Sequence, residues 1–216
     1  MSGADERRTA GALLEVCGRT YAEEAGIRLR DTPQPLYQLL VLATLLSARI
    51  RADAAVGAAR ALYSHGLRTP RSMAEASWQE RVDALGEGGY RRYDESTSTM
   101  LGEAAQYVRD HYGGDLRRLH DEADGDLPTL RERLREMKGM GPVGADIFLR
   151  EVQAVWPDVA PYLDSKAESG AERVGLPGSA GKLAKLTAKK DAAAFAAGLV
   201  RVSLDKSLAE EVRSRA

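Results

Sequence analysis

A single period restricts the fold of this chain more than any other feature. Along 216 residues no stretch alternates apolar and polar side chains as a half-buried strand would, whereas apolar residues return every three or four positions. Leu14, Cys17 and Tyr21 form one stripe in a first segment that closes at Gly26. Two prolines in DTPQPLYQLL break that segment and open another, which is apolar on nearly every side from Leu39 to Leu46. A helix with no polar face is expected at the centre of a core. RADAAVGAARALYSHG predicts a small-residue helix ending at Gly66, and RTPRSMAEASWQERVDALGEGG a short one stopped by Gly86, Gly88 and Gly89. Further helices are expected from Asp94 to Tyr112, along Leu127, Leu130, Leu134 and Met137 with Pro128 in the first turn, around Phe148, Val152 and Val155, and from about Ala180 onward. The expected class is all-α.

Composition narrows the function classes. A formal net charge of −1 provides no global basic field, so contact with nucleic acid would need a local basic face. Cys17 is the only cysteine, which excludes an intramolecular disulfide and a four-cysteine metal or iron–sulfur site. It is expected to be a buried apolar residue. MSGADERRTAG lacks the apolar core of a signal peptide, and the run from Leu36 to Leu46 is too short to span a membrane. A cytoplasmic protein with no membrane partner is the expectation.

The helical pattern interrupts itself at KGMGPVGAD, Lys138 to Asp146, where Gly139, Gly141 and Gly144 cluster around Pro142. Few residues separate the flanking helices, so they must form a hairpin. Glycines let another backbone approach closely, and proline suits the first turn of the next helix. That helix would present free amides and its positive dipole end directly behind the glycines, a natural place for an anion such as a phosphate. An ordinary helix–helix corner with no ligand fits the same nine residues. Lys138 favours the anion, while Asp146 competes for the same dipole.

LREMKGMGPVGADIFLREV resembles the helix-hairpin-helix element of the endonuclease III-like (HhH-GPD) DNA glycosylase superfamily, whose pattern reads roughly L-P-G-V-G-x-K-T-A. VWPDVAPYLDSKAESGAERVGL is similar to that family's W-P … V-D-T-H-x-x-R-V-x-N-R-L-G-L, in register from Asp164 to Leu176. LLVLATLLSARIRADAA resembles its L-L-S-x-Q-T-x-D, and GGYRRYDESTSTMLGEAAQYVRDHYGGDL its G-x-Y-x-x-K-A stretch. The likeness runs from about Leu36 to Leu176, with four motifs in the family's order.

The resemblance implies a two-lobed helical fold. One lobe would span residues 32–155 and end in the hairpin; residues 1–31 and 156–216 would form the other, with a pocket in the cleft. It implies double-stranded DNA as partner, base-excision repair as the role, and a monomer. The hairpin residues Lys138, Gly139, Met140, Gly141, Val143 and Gly144 would touch DNA, with Arg49, Arg51, Lys166 and Lys182 as further contacts. Arg49 stands where the family has a glutamine beside the displaced base; Arg49 and Arg51 also fit ordinary exposed charges. Tyr90 or Tyr93 would stack on a base or lie half-buried, and Arg91 and Arg92 are weaker backbone contacts.

Asp164 takes the place of the carboxylate that stabilises the electron-poor sugar and directs water. Without the family, Asp164 reads as a helix N-cap, with Ser165 competing, and the two roles are compatible. Val143 stands where bifunctional members carry the imine-forming lysine, so lyase activity should be weak or absent; Lys138 and Lys166 are nearby but outside the motif. No iron–sulfur cluster or other cofactor is expected, and the resemblance leaves room for a structural monovalent cation at the hairpin. Lys182, Lys185 and Lys189 follow helical spacing and would share one face, for phosphate or for solvent. The competing classes are a monofunctional glycosylase, an inactive DNA-binding protein on the same scaffold, and a helical interaction module unrelated to DNA.

Overall fold

The computed structural model describes residues 2–216, and among them every regular element is helical. In chain order these are α1 (Gly3–Cys17), α2 (Tyr21–Glu24), α3 (Pro33–Leu46), α4 (Ala52–Ser64), α5 (Pro70–Glu75), α6 (Trp78–Glu87) and α7 (Asp94–Tyr112). They continue with α8 (Leu116–Glu122), α9 (Leu127–Arg135), α10 (Pro142–Val152), α11 (Ser165–Arg173), α12 (Ala180–Leu183), α13 (Ala192–Leu204) and α14 (Lys206–Arg215). No described helix is long and apolar enough to cross a membrane.

Several boundaries follow from local chemistry. The stretch from Thr69 to Gly89, expected as one helix, is two. Ser77 accepts from the Glu80 amide at 3.1 Å while Glu80 accepts from the Ser77 amide at 2.7 Å, a capping box that starts α6 and leaves Ala76 extended. Tyr21 lies outside the helix of Leu14 and Cys17, because α1 stops at Gly18. The tail also breaks up: α12 is four residues long and Ala188 is extended. Lys182 therefore sits in α12, Lys185 beyond it, and Lys189 in a 3-10 turn. They do not share a helix face.

The chain divides into two compact units, Ala22–Phe148 and a unit joining the chain up to Tyr21 with Leu149–Ala216. The limits fall at Tyr21/Ala22 and within α10, whereas the sequence expectation put them at Thr32 and Val155.

In the Ala22–Phe148 unit, α3 is buried from Leu36 to Leu45, as its uniform apolar surface requires. It packs on α4, and α6 lies against α4 and α7. Arg81 of α6 is buried; it donates to the carbonyls of Ser98 (2.9 Å), Met73 (2.9 Å) and Ala76 (2.6 Å), pinning α5 and α7 to α6.

In the other unit, Leu13, Ala171, Phe195, Leu199 and Val212 form a shared core of α1, α11, α13 and α14. Cys17 joins it, and burial pushes its thiol up to about 11. A rise from 9.0 leaves about a hundredfold less thiolate at neutral pH. A thiol-reactive disulfide reagent should therefore label native Cys17 about a hundred times more slowly than the unfolded chain; equal rates would show that the thiol is accessible.

Candidate nucleic-acid interface

The corner between α9 and α10 opens to solvent. Gly139 adopts φ +84°, which strains any side-chain-bearing residue, and a Cβ there would crowd Met100 at 3.2 Å and Thr44 at 3.3 Å, so the position favours glycine. Met140 turns inward at 3% exposure, its amide donating to the Met137 carbonyl at 3.0 Å. A Cβ on Gly141 would meet nothing within 4 Å, so this glycine leaves its backbone bare to solvent rather than easing packing. Gly144 is buried, with Met140 Sδ 2.6 Å from where a Cβ would stand. Lys138, Gly141 and Pro142 are exposed, and Val143 is 59% exposed despite being apolar.

The Ala145 amide donates to the Gly141 carbonyl at 3.0 Å, so the Val143 and Gly144 amides stand ahead of it in the first turn. Asp146, which as a free carboxylate would repel an anion there, is instead paired. Arg131 of α9 grips it through Nε–Oδ1 at 2.7 Å and Nη2–Oδ2 at 3.2 Å, tying the two arms of the hairpin together. The competition expected from Asp146 is thereby reduced.

Arg49 and Gly139 line one concavity of about 290 Å³ with Ser47, Tyr90, Tyr93 and Ser96. Arg49 is exposed, and no hydrogen bond or ion pair engages its side chain among the described residues. Arg51 differs. It forms a bidentate surface pair with Asp53 (3.1 and 2.8 Å), which holds the Asp53 carboxyl below its usual range. Tyr90 is buried, its hydroxyl accepting from Thr97 at 3.2 Å, whereas Tyr93 is half-buried under the Arg92 guanidinium.

Asp164 is the N-cap of α11. Its Oδ1 accepts from the Ala167 amide at 3.0 Å and its Oδ2 from Arg150 Nη1 at 2.5 Å. The Asp164 and Arg150 side chains are only 12% and 8% exposed. Gln153, one turn beyond Arg150, donates to the Arg150 carbonyl (2.9 Å) and the Tyr162 carbonyl (3.0 Å) and accepts from the Tyr162 amide (2.9 Å). The segment leading to Asp164 is thus held from α10. Each carboxylate oxygen keeps lone-pair capacity beyond the one donor that engages it.

Neither Arg150 nor Gln153 was among the sequence candidates. Their signal was a polar cluster, Arg150, Glu151 and Gln153, directly after the apolar run Ile147–Leu149, since polar residues need partners when buried. Lys166 is exposed two residues past Asp164, and Lys182 is exposed in α12. Among the described residues no group of three or more His, Cys, Asp or Glu is placed to hold a metal ion.

No family model matches the chain, and no curated protein sequence does. Among solved structures, the chain is similar at 18% identity, over 74% of its own length and 70% of the other's with a TM-score of 0.48, to a trapped endonuclease III–DNA covalent intermediate, an estranged-adenine complex.

Proposed function

We propose that this protein is a monofunctional DNA N-glycosylase of the endonuclease III-like (HhH-GPD) superfamily, acting on a damaged or mispaired base in double-stranded DNA as a cytoplasmic monomer. The observation that carries the reading is the exposed glycine corner at the start of an eleven-residue helix, in family order with the motif that contains Asp164. Backbone amides and Lys138 would receive a phosphate there, which positions the duplex without reading its sequence. Met137 and Gly141 carbonyls already accept one amide each and retain a lone pair for a structural monovalent cation.

In the chemical step the C1′–N bond breaks, its electron pair leaving with the base while C1′ becomes electron-poor. Asp164 opposes that charge and orients water, which adds to C1′ and passes a proton to the carboxylate, while the departed base takes up a proton from solvent, so that water is divided between sugar and base. Base flipping would present the nucleoside.

A panel of duplexes, each with one alkylated, oxidised or deaminated base, tests the proposal. Release of at least one free base without strand scission is expected. Borohydride should trap no covalent complex with an abasic duplex, because Val143 cannot form an imine. No release from any lesion would defeat the enzymatic reading, and a trapped adduct would defeat the monofunctional one.

One observation favours a second reading, a DNA-binding protein without catalysis: Arg150 compensates the charge of Asp164, and both are largely buried. On that reading, abasic or distorted duplex is retained with no product, and Asp164→Asn changes nothing.

A further inference from the structure

We infer that the unit containing both chain ends carries a second phosphate-binding surface, built from Arg7, Lys182 and Lys185 and shaped for the backbone of nucleic acid. The inference rests on the DNA-binding part of the proposed function, but it concerns a different surface from the glycine corner.

Residues 176–190 contain four lysines and no acidic residue in a chain whose net charge is −1. After the break at Ala188, the helical spacing of those lysines no longer governs where they go; tertiary packing does. It brings Lys182 and Lys185 to the same open concavity, of about 610 Å³, as Arg7 of α1. The three cations come from opposite ends of the sequence, and all three are exposed. Among the described residues no ion pair or side-chain hydrogen bond engages them. That distinguishes them from Arg8, which is paired with Asp5, and from Arg215, which is paired with Glu211.

Glu6 lies on the same concavity and Glu172 stands beside Gly178, so the surface is a basic site with acidic neighbours rather than a uniform field. Leu176 and Pro177 supply apolar floor. Three unpaired cations around a shallow, solvent-open recess fit a chain of phosphates that stays partly hydrated, whereas an enclosed small-molecule site would cover its ligand. Lysines act here as point charges, which suits backbone contact without sequence readout.

Neutralising phosphates releases condensed counterions, and each contact adds about 0.9 to the slope of log affinity against log salt. The triple variant Arg7→Gln/Lys182→Gln/Lys185→Gln should therefore lower that slope by about 2 to 3 for an undamaged fluorescent duplex. Between 50 and 200 mM salt the wild-type protein should lose roughly fortyfold more affinity than the variant. In parallel, duplex should protect Lys182 and Lys185 from acetylation by acetic anhydride, while exposed Lys206 reacts as before.

A lower slope together with that protection supports the inference. Wild-type retention with an unchanged slope in the triple variant overturns it while leaving DNA binding at the hairpin standing, as does acetylation of both lysines at the DNA-free rate. Equal protection by tripolyphosphate, with no change in the duplex slope, would assign the surface to free polyphosphate and overturn the nucleic-acid claim. No retention of duplex by wild type at 50 mM salt would defeat the proposed function itself, and this inference with it.

Discussion

Asp164→Asn is expected to suppress base release by about 10²–10⁴-fold while leaving duplex retention nearly intact. The substitution is a clean one sterically. Asparagine caps helices as well as aspartate, so the bond from the Ala167 amide to the N-cap side chain survives. What disappears is the negative charge that would face the electron-poor sugar and receive a proton from water. Arg150 then loses its charge partner at 8% exposure, which should lower stability by about 2–4 kcal/mol. Circular dichroism at the assay temperature separates loss of fold from loss of chemistry. A folded variant that binds duplex and releases no base supports the catalytic assignment. A folded variant that turns over at the wild-type rate removes Asp164 from the reaction.

Gly170→Ala should be among the most damaging single-methyl additions in the molecule. Gly170 lies in α11, the helix capped by Asp164, and a Cβ there would stand 1.8 Å from the Leu199 carbonyl oxygen and 2.6 Å from its carbon. Both are backbone atoms of α13, and Leu199 is fully buried, so no flexible side chain can yield. The helices must separate, at an expected cost of about 3 kcal/mol or more and roughly 6–12 °C in Tm. Gly11→Ala is the matched control: it lies in α1, on a surface where a Cβ would meet nothing within 4 Å. There the helix preference of alanine should raise stability by about 0.5–1 kcal/mol. If the two variants melted together, the close contact of α11 with α13 would be refuted.

Much of the architecture was legible because it is local. The limits of α7 followed from Asp94 and the glycines after Tyr112, and Gly113 does adopt the left-handed conformation that ends the helix. The burial of α3 followed from its all-round apolar surface. The start of α6 was equally readable in SWQE, whose serine and glutamate form a capping box, yet helical periodicity alone merged it with α5. At the candidate site, the glycine corner and the N-cap position of Asp164 were visible for the same reason, since turn and cap chemistry act within three or four residues.

By itself, then, the sequence determined the helical class, the central apolar helix, the bare-backbone corner and the capping carboxylate, all consequences of residue type at short range. Only the tertiary structure decided the partners. Arg150 meets Asp164 across fourteen residues, Arg131 clasps Asp146 across fifteen, and Arg7 joins lysines more than 170 positions away. A buried or converging charge is satisfied through space, and periodicity carries no information about which distant side chain the fold brings to it.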